Sequence, residues 1–455
     1  MRRFSTIFSG NQVIVVQGVG LAGIIRIYRP IACEKMHPED DGTPRMRPIA
    51  SALDGLLNRT VHVMTFGCTY NSGDSLKLKE ILKAQGCRLV DTPGEAEAVV
   101  VNTCTVVGST ERRMLRVLSS LREKELYVTG CMPIVQHDEI FRVCSPRIIR
   151  PEEIREHYRR VGTVEPCGVG ILQVASGCLG SCTYCITRKA RGRLKSVSVP
   201  GILAEAETMV DAGAKELQLT GQDVSAWGYD IGMNLSDLIV ALGQIPGRFC
   251  IRTGMMNPST LLPIRKPVIR AFASPGIFRF IHIPIQSGSD EVLNAMGRKY
   301  TVGDAVRIVD SFRAKYPEIF FATDIIVGFP GETDSQFEES VDLVTRLKPN
   351  KVNITRYSRR PHTRMAGSRD TLDAIKKDRS RALLRHAEAI YRGINARFIG
   401  EKMRILVTEK VKDGSVISRT PAYHNVVIQK DLPIGYEGHA VILEDRMYYL
   451  LGSLC

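Results

Sequence analysis

Residues 170–185 read GILQVASGCLGSCTYC. The first seven form an apolar, strand-like run. Directly behind it stand Cys178, Cys182 and Cys185 in a C-x3-C-x2-C spacing. A strand running into a ligand-rich loop is the pattern of a β/α unit whose loop lies on the working face of a barrel. A four-iron cluster ordinarily takes four thiolates. Three would leave one iron open to another ligand, much as a catalytic metal keeps one open position. The competing readings are a zinc knuckle with Cys167 as a distant fourth ligand, or buried free thiols.

The alternation continues downstream. KELQLTG (215–221), GRFCIRTG (247–254), FRFIHIP (278–284), IFFATDIIVG (319–328) and NKVNITRY (350–357) read as strands. Helices are predicted over 200–212, 259–273, 289–296, 302–314 and 333–347, with another at 371–397. This predicts a partial (β/α)6 barrel over residues 167–397. Upstream, VHVMTF (61–66), AEAVVVNT (96–103) and KELYVTG (124–130) alternate with helices at 74–86 and 109–121. That pattern predicts a separate parallel α/β sheet domain over 60–145. Residues 146–166 read as a charged connector. From 398 to 455 only short strands and turns appear, the pattern of a small β-barrel. The fold class is therefore α/β, completed by a C-terminal β-barrel.

The 455-residue chain carries a formal charge of +14, which suits a polyanionic partner. Between residues 346 and 400 there are fifteen Lys and Arg against four Asp and Glu. Twelve cysteines in so long a chain do not read as a secreted disulfide framework. The run 11–28 is short and broken by Gln17 and Arg26, too impure for a membrane span. Residues 1–59 read as a disordered extension or the product of an upstream start, with Met36 or Met46 as the true one. A targeting segment is the alternative.

Cys68, Cys104 and Cys131 each close a predicted parallel strand, and such strand ends converge on one edge of a sheet. On placement alone, a second cluster and buried core thiols are both open. Cys87, Cys144 and Cys250 sit beside apolar runs and read as packed thiols.

The blocks GCTYN (67–71), NTC (102–104), GC (130–131) and the 178–185 cysteines continue with TGQDVSAWG (220–228), HIPIQSGSDEVLNAMGRKYT (282–301) and DIIVGFPGET (324–333). In this order, over roughly residues 60–455, they closely resemble the methylthiotransferase family of radical S-adenosylmethionine enzymes. The terminal segment resembles that family's TRAM domain, an RNA-binding barrel. The resemblance implies two [4Fe-4S] clusters and S-adenosyl-L-methionine as cofactors. Cys178, Cys182 and Cys185 would hold the cluster that binds S-adenosylmethionine, and Cys68, Cys104 and Cys131 the second. One S-adenosylmethionine would yield a 5′-deoxyadenosyl radical that activates C2 of an adenine. Another would methylate the sulfur delivered at the second cluster.

By the same resemblance Gly221, Gln222, Asp223, Gln286 and Ser287, at barrel strand ends, are candidate cofactor contacts. The form GCTYNSGD resembles the archaeal and eukaryotic branch, which modifies N6-threonylcarbamoyladenosine at position 37 of tRNA. Alternatives are isopentenyladenosine at that position, a ribosomal-protein aspartate, or a non-enzymatic iron–sulfur protein that binds tRNA. The implied partners are tRNA, an electron donor such as a flavodoxin or ferredoxin, and a sulfur source. The chain is expected to be a cytoplasmic monomer without a membrane anchor. Arg298, Lys299, Arg356, Arg359 and Arg360 are candidates for the threonyl carboxylate. Arg419 and His424 are candidates for base or phosphate contact. Asn71 and Asn102 would orient the cysteines beside them or simply make local turns.

Overall fold

The computed structural model describes residues 51–161, 168–411 and 414–455, together with the backbone of three short strands, Ser5–Ser9, Gln12–Val16 and Arg26–Tyr28. These three pair as an antiparallel sheet. The rest of the expected extension up to residue 50, Cys33 included, lies outside the described residues, as does Cys167 in the stretch 162–167.

From residue 51 onward the chain first builds a five-stranded, wholly parallel sheet. Its strands are β1 (Thr60–Thr65), β2 (Arg88–Leu89), β3 (Ala98–Thr103), β4 (Glu125–Gly130) and β5 (Arg147–Ile148). Their order is β2-β1-β3-β4-β5. All six residues of β3 are buried, as a central strand covered on both faces requires. Helices α1 (Thr69–Ala84), α2 (Gly108–Ser120) and α3 (Pro151–Val161) cover the sheet. Leu53 and Leu56, upstream of residue 60, are fully buried in the same core as Leu78, Ile81 and Leu82. The connector contributes α3, whose Ile154 enters that core.

Six parallel strands follow: β6 (Val169–Gln173), β7 (Glu216–Thr220), β8 (Cys250–Arg252), β9 (Phe280–His282), β10 (Phe320–Val327) and β11 (Lys351–Arg356). They lie in chain order as two three-stranded sheets. Isolated parallel bridges at Ile251–Ile277 and Met255–His282 join β8 to β9. The result is the expected open barrel, split at its middle. Its helices bury Trp227, Phe272, Phe312 and Phe321 against the sheets. The last helix, α4 (Asp373–Asn395), packs Leu383, Ala387 and Tyr391 across β10 and β11. The Tyr391 hydroxyl accepts the Val352 N–H at 2.6 Å.

The remaining strands, β12 (Lys402–Lys410), β13 (Val416–Arg419), β14 (Asn425–Ile428), β15 (Glu437–Asp445) and β16 (Leu450–Leu454), close into a barrel in the order β12-β13-β14-β16-β15. The turn after β13 inserts into the large barrel at the N-terminal ends of its strands. Tyr423 packs its ring against Phe278 and Phe280, each at 4.9 Å between centroids, and its hydroxyl donates to Glu216 Oε1 at 2.5 Å. Arg279 N–H donates to the Pro421 carbonyl at 2.9 Å. The small barrel therefore plugs the end opposite the cysteine loops. This corrects the expectation for Arg419 and His424. Arg419 is paired with Glu409 and Glu216. His424 is buried between Phe320 and Phe398. Neither side chain is presented to an RNA.

Candidate metal centre

The loop after β6 is held open by its backbone. Gly177 adopts φ 77°, and a Cβ there would run into the Arg193 carbonyl. Its N–H donates to Gln222 Oε1 at 2.6 Å, and Cys178 N–H donates to the Gly192 carbonyl at 3.2 Å. Gly180 sits between two sulfurs. A Cβ on it would lie 3.2 Å from Cys178 Sγ and 3.7 Å from Cys182 Sγ. Beyond the triad, Tyr184 is pinned by Arg298, whose guanidinium donates to its hydroxyl at 2.6 Å. Burial pushes the Cys178 thiol up to about 11. Burial also raises Cys182, against the opposing pull of Arg298.

The second set of cysteines lies where the strand order of the parallel sheet reverses. In the order β2-β1-β3-β4-β5 the crevice opens between the C-terminal ends of β1 and β3. Cys68 follows β1 and caps α1, Cys104 follows β3, and Cys131 follows β4. Two asparagines tie these loops together. Asn71 Nδ2 donates to the carbonyls of Phe66 and Thr103 at 2.8 and 2.9 Å. Asn102 Nδ2 donates to the Asn71 carbonyl at 2.7 Å and to Ser75 Oγ at 2.9 Å. They are bridges between loops, not local turns. Burial raises the Cys104 thiol and takes Cys131 up to about 11, with Arg191 opposing it at Cys131.

Each triad fits an iron–sulfur cluster by its donor set. Three thiols stand within electrostatic reach of one another in each case, Cys178 with Cys182 and Cys185, and Cys131 with Cys104 and Cys68. The ligands of a four-iron cluster take separate irons, so their sulfurs stand further apart than those sharing one ion. Among the described residues no three His, Cys, Asp or Glu side chains are close enough to share a single ion. Thiols raised by burial remain protonated until a metal displaces the proton.

The two triads are mechanically joined, which the sequence reading missed. Arg191, six residues past Cys185, reaches the other triad. The segment from Ser358 to Met365, after β11, straps both loops. Ser358 Oγ accepts the Gly108 N–H at 3.1 Å, and Arg360 pairs with Glu111 and donates to the Thr105 carbonyl at 3.3 Å, one residue past Cys104. At its other end Met365 N–H donates to the Thr183 carbonyl at 3.1 Å, and Arg364 donates to the Ser181 carbonyl. Of the fifteen basic residues between 346 and 400, Arg360, Lys376 and Arg379 are thus spent inside the protein, and Arg364, though exposed, is tied to the Ser181 carbonyl.

Several expected contacts are engaged elsewhere. Asp223 is buried and accepts from Ser225 and Asn257 on Oδ1 and from Thr260 on Oδ2, so it ties together the loops after two barrel strands. Ser287 is fully buried and accepts the Ser289 N–H at 3.2 Å. Gln222 holds the cysteine loop through Gly177. Gly221 is the close approach of two strand ends, its Cβ position 3.3 Å from the Ala175 carbonyl. Gln286 differs. Its φ of 78° is uncommon for a residue with a side chain, and although its backbone N–H donates to the Asp324 carbonyl at 2.8 Å, its side-chain amide makes no hydrogen bond to a described residue. Arg298 and Arg360 are occupied by Tyr184 and Glu111, so of the cleft-border cations Lys299, Arg356 and Arg359 remain exposed.

A strand-end cysteine triad on the rim of an open β/α barrel, beside a second on a switch-point sheet, defines a class. The Radical SAM superfamily model matches residues 172–344, and the model of an uncharacterised family, UPF0004, matches residues 60–147. Over 424 residues the chain is 37% identical to the probable threonylcarbamoyladenosine tRNA methylthiotransferase of Pyrococcus horikoshii, covering 87% of this chain and 99% of that one. The corresponding protein of Archaeoglobus fulgidus is 35% identical over 420 residues, covering 87% and 98%. That of Homo sapiens is 31% identical over 435 residues, covering 88% and 73%. The chain belongs to the threonylcarbamoyladenosine tRNA methylthiotransferase family.

Proposed function

We propose that this chain transfers a methylthio group to C2 of N6-threonylcarbamoyladenosine at position 37 of tRNA. The observation that carries this is the pair of cysteine triads strapped into one assembly, in a chain that matches these transferases along almost its whole length. Cys178, Cys182 and Cys185 hold the cluster that binds S-adenosylmethionine. Cys68, Cys104 and Cys131 hold the second. When bound, the first cluster with S-adenosylmethionine supplies a 5′-deoxyadenosyl radical, and the second supplies the methylthio sulfur.

The protein's own part is positioning. Gln222 and Gly177 fix the first cysteine loop, Asn71 and Asn102 fix the second, and the 358–365 strap sets the distance between them. Holding two reacting groups at one base converts encounters into intramolecular steps. Gln286, with a free side-chain amide and a strained backbone, is the best-supported cofactor contact, and Gly221 lets the ends of β6 and β7 approach closely at Ala175. Lys299, Arg356 and Arg359 are the cations left to meet the threonyl carboxylate, which an arginine would take bidentately. A site built to pair that carboxylate rejects the apolar isopentenyl group.

In this reading residues 60–145 carry the sulfur-delivery cluster, 167–397 the radical chemistry and 398–455 the hold on tRNA. Because the small barrel sits beneath the large one, bound RNA must run along the barrel's flank. A strand of eight residues such as β10 makes that path about 26 Å. An external reductant of flavodoxin or ferredoxin type and a sulfur source complete the turnover. Among the described residues no helix is long and apolar enough to cross a membrane. The test is nucleoside mass spectrometry of tRNA from a host lacking this activity, with and without the gene. A 2-methylthio mass increase on threonylcarbamoyladenosine is expected. An increase confined to isopentenyladenosine would overturn the substrate assignment.

A further inference from the structure

Arg191 closes the short helix Thr187–Arg191, which leaves the first cysteine loop, yet its guanidinium lies in the second triad. Its Nε donates to Cys131 Sγ at 3.3 Å. One terminal nitrogen pairs with Asp74 Oδ2 at 2.9 Å and the other donates to Asn71 Oδ1 at 2.8 Å. Its plane covers the Tyr70 ring at 4.7 Å. The Arg191 and Asp74 side chains are only 3% and 1% exposed. Asp74 in turn accepts from Gln173 Nε2 of β6 at 2.7 Å, which ties the pair to the strand that feeds the first triad.

Asp74 alone satisfies the charge, and a domain-bridging ion pair would need no more. The contact that such a bridge leaves unexplained is the one to sulfur. A buried cationic N–H directed at a thiolate ligand stabilises whichever cluster state carries more negative charge, and that is the reduced one. Hydrogen bonds to the sulfurs are among the factors that set iron–sulfur potentials.

We infer that Arg191 is a positioning and potential-setting residue for the second cluster, supplied by the loop of the first. This rests on the two-cluster reading above. Arg191 raises the reduction potential at Cys68, Cys104 and Cys131 and fixes Cys131 relative to the radical site. No bond is made or broken by it.

The experiment is an EPR-monitored redox titration of the anaerobically reconstituted full chain, with iron counted separately. In the Arg191→Met variant the midpoint of one cluster is expected to move to more negative potential while the other holds. Arg191→Lys, which keeps the charge but not the planar three-way fork, is expected to show a smaller shift of the same sign. If Arg191→Met does not retain its iron, Arg191→Lys decides the matter. Unchanged midpoints in every iron-replete variant would overturn the inference and leave Arg191 a structural bridge. A wild-type chain holding only four irons would instead sink the two-cluster reading, before any variant is compared.

Discussion

Replacing Tyr423 with Phe removes one hydroxyl from the seam between the two barrels. That hydroxyl donates to Glu216, which is fully buried. Gln218 Nε2 at 2.7 Å remains as a donor to the same carboxylate oxygen, and Arg419 Nε stands 3.7 Å from the other. A hydrogen bond to a charged group contributes about 1.5–3 kcal/mol, and with these neighbours still in place we expect a loss of about 2 kcal/mol. Tyr423→Ala also deletes the ring packed on Phe278 and Phe280. Truncating a buried aromatic costs about 3–5 kcal/mol, so the total is expected at about 5–7 kcal/mol. Anaerobic urea unfolding of the two variants against wild type, compared at constant m, measures both. A Tyr423→Phe midpoint equal to wild type would refute the claim that Glu216 depends on this donor. An alanine variant no worse than the phenylalanine one would refute the role of the ring. The same reasoning makes removal of residues 398–455 costly. It uncovers Glu216, Phe278 and Phe280 at once, so the truncated chain is expected to aggregate rather than survive as a tRNA-blind enzyme.

Changing Cys178, Cys182 and Cys185 together to Ala should halve the bound iron and abolish 5′-deoxyadenosine formation. The corresponding change of Cys68, Cys104 and Cys131 should halve the iron, keep 5′-deoxyadenosine and lose the methylthio product, and normal product would make those thiols structural only. Asp74→Ala leaves the Arg191 guanidinium buried without its counter-charge and should cost about 3–5 kcal/mol in denaturant unfolding. Burial holds His424 down to about 4, while the unfolded chain titrates near about 6.5. Between those values the unfolded state binds the proton and the folded state does not. Stability therefore falls as pH drops through that window, by up to about 1.4 kcal/mol per unit, and parallel pH profiles for wild type and His424→Phe would contradict this. Arg359→Ala should raise KM for threonylcarbamoylated tRNA more than it lowers kcat, with phosphate contact indicated instead if unmodified tRNA loses affinity equally.

The central strands were legible because each is a largely apolar run that the fold buries. β3 and β10 match their predicted ranges within two residues at each end. The start of α1 was not, and it lies five residues ahead of the predicted 74. TYNS (69–72) is polar and resembles a loop, but Tyr70 and Asn71 are buried against Arg191 and the neighbouring cysteine loops. Edge strands of two residues, such as β2 and β5, carry too little pattern to read. The placement of the two cysteine sets behind strands was legible because position behind a strand is a local property. Arg191 was not. Within RKARGR (188–193) it looks like any solvated basic run, and its partners Cys131 and Asn71 lie 60 and 120 residues away. The same distance hides Arg360, whose fork meets Glu111 across 249 residues.

The strap after β11 also has a bearing on how the protein is made. Its contacts to Gly108 and Thr105 span 250 and 255 residues, and its contact to Ser181 spans 183. During synthesis all six cysteines emerge from the ribosome well before Ser358 does. The loops that carry them are then formed but not yet clamped to each other, because closure over such spans comes late. That interval is when a cluster-donating protein has the widest approach to both sites. Once residues 358–365 settle, Arg360 binds the loop after Cys104 and Arg364 the loop of Cys182, so the two cysteine loops become part of one tied unit that opens only by local unfolding of the segment joining them.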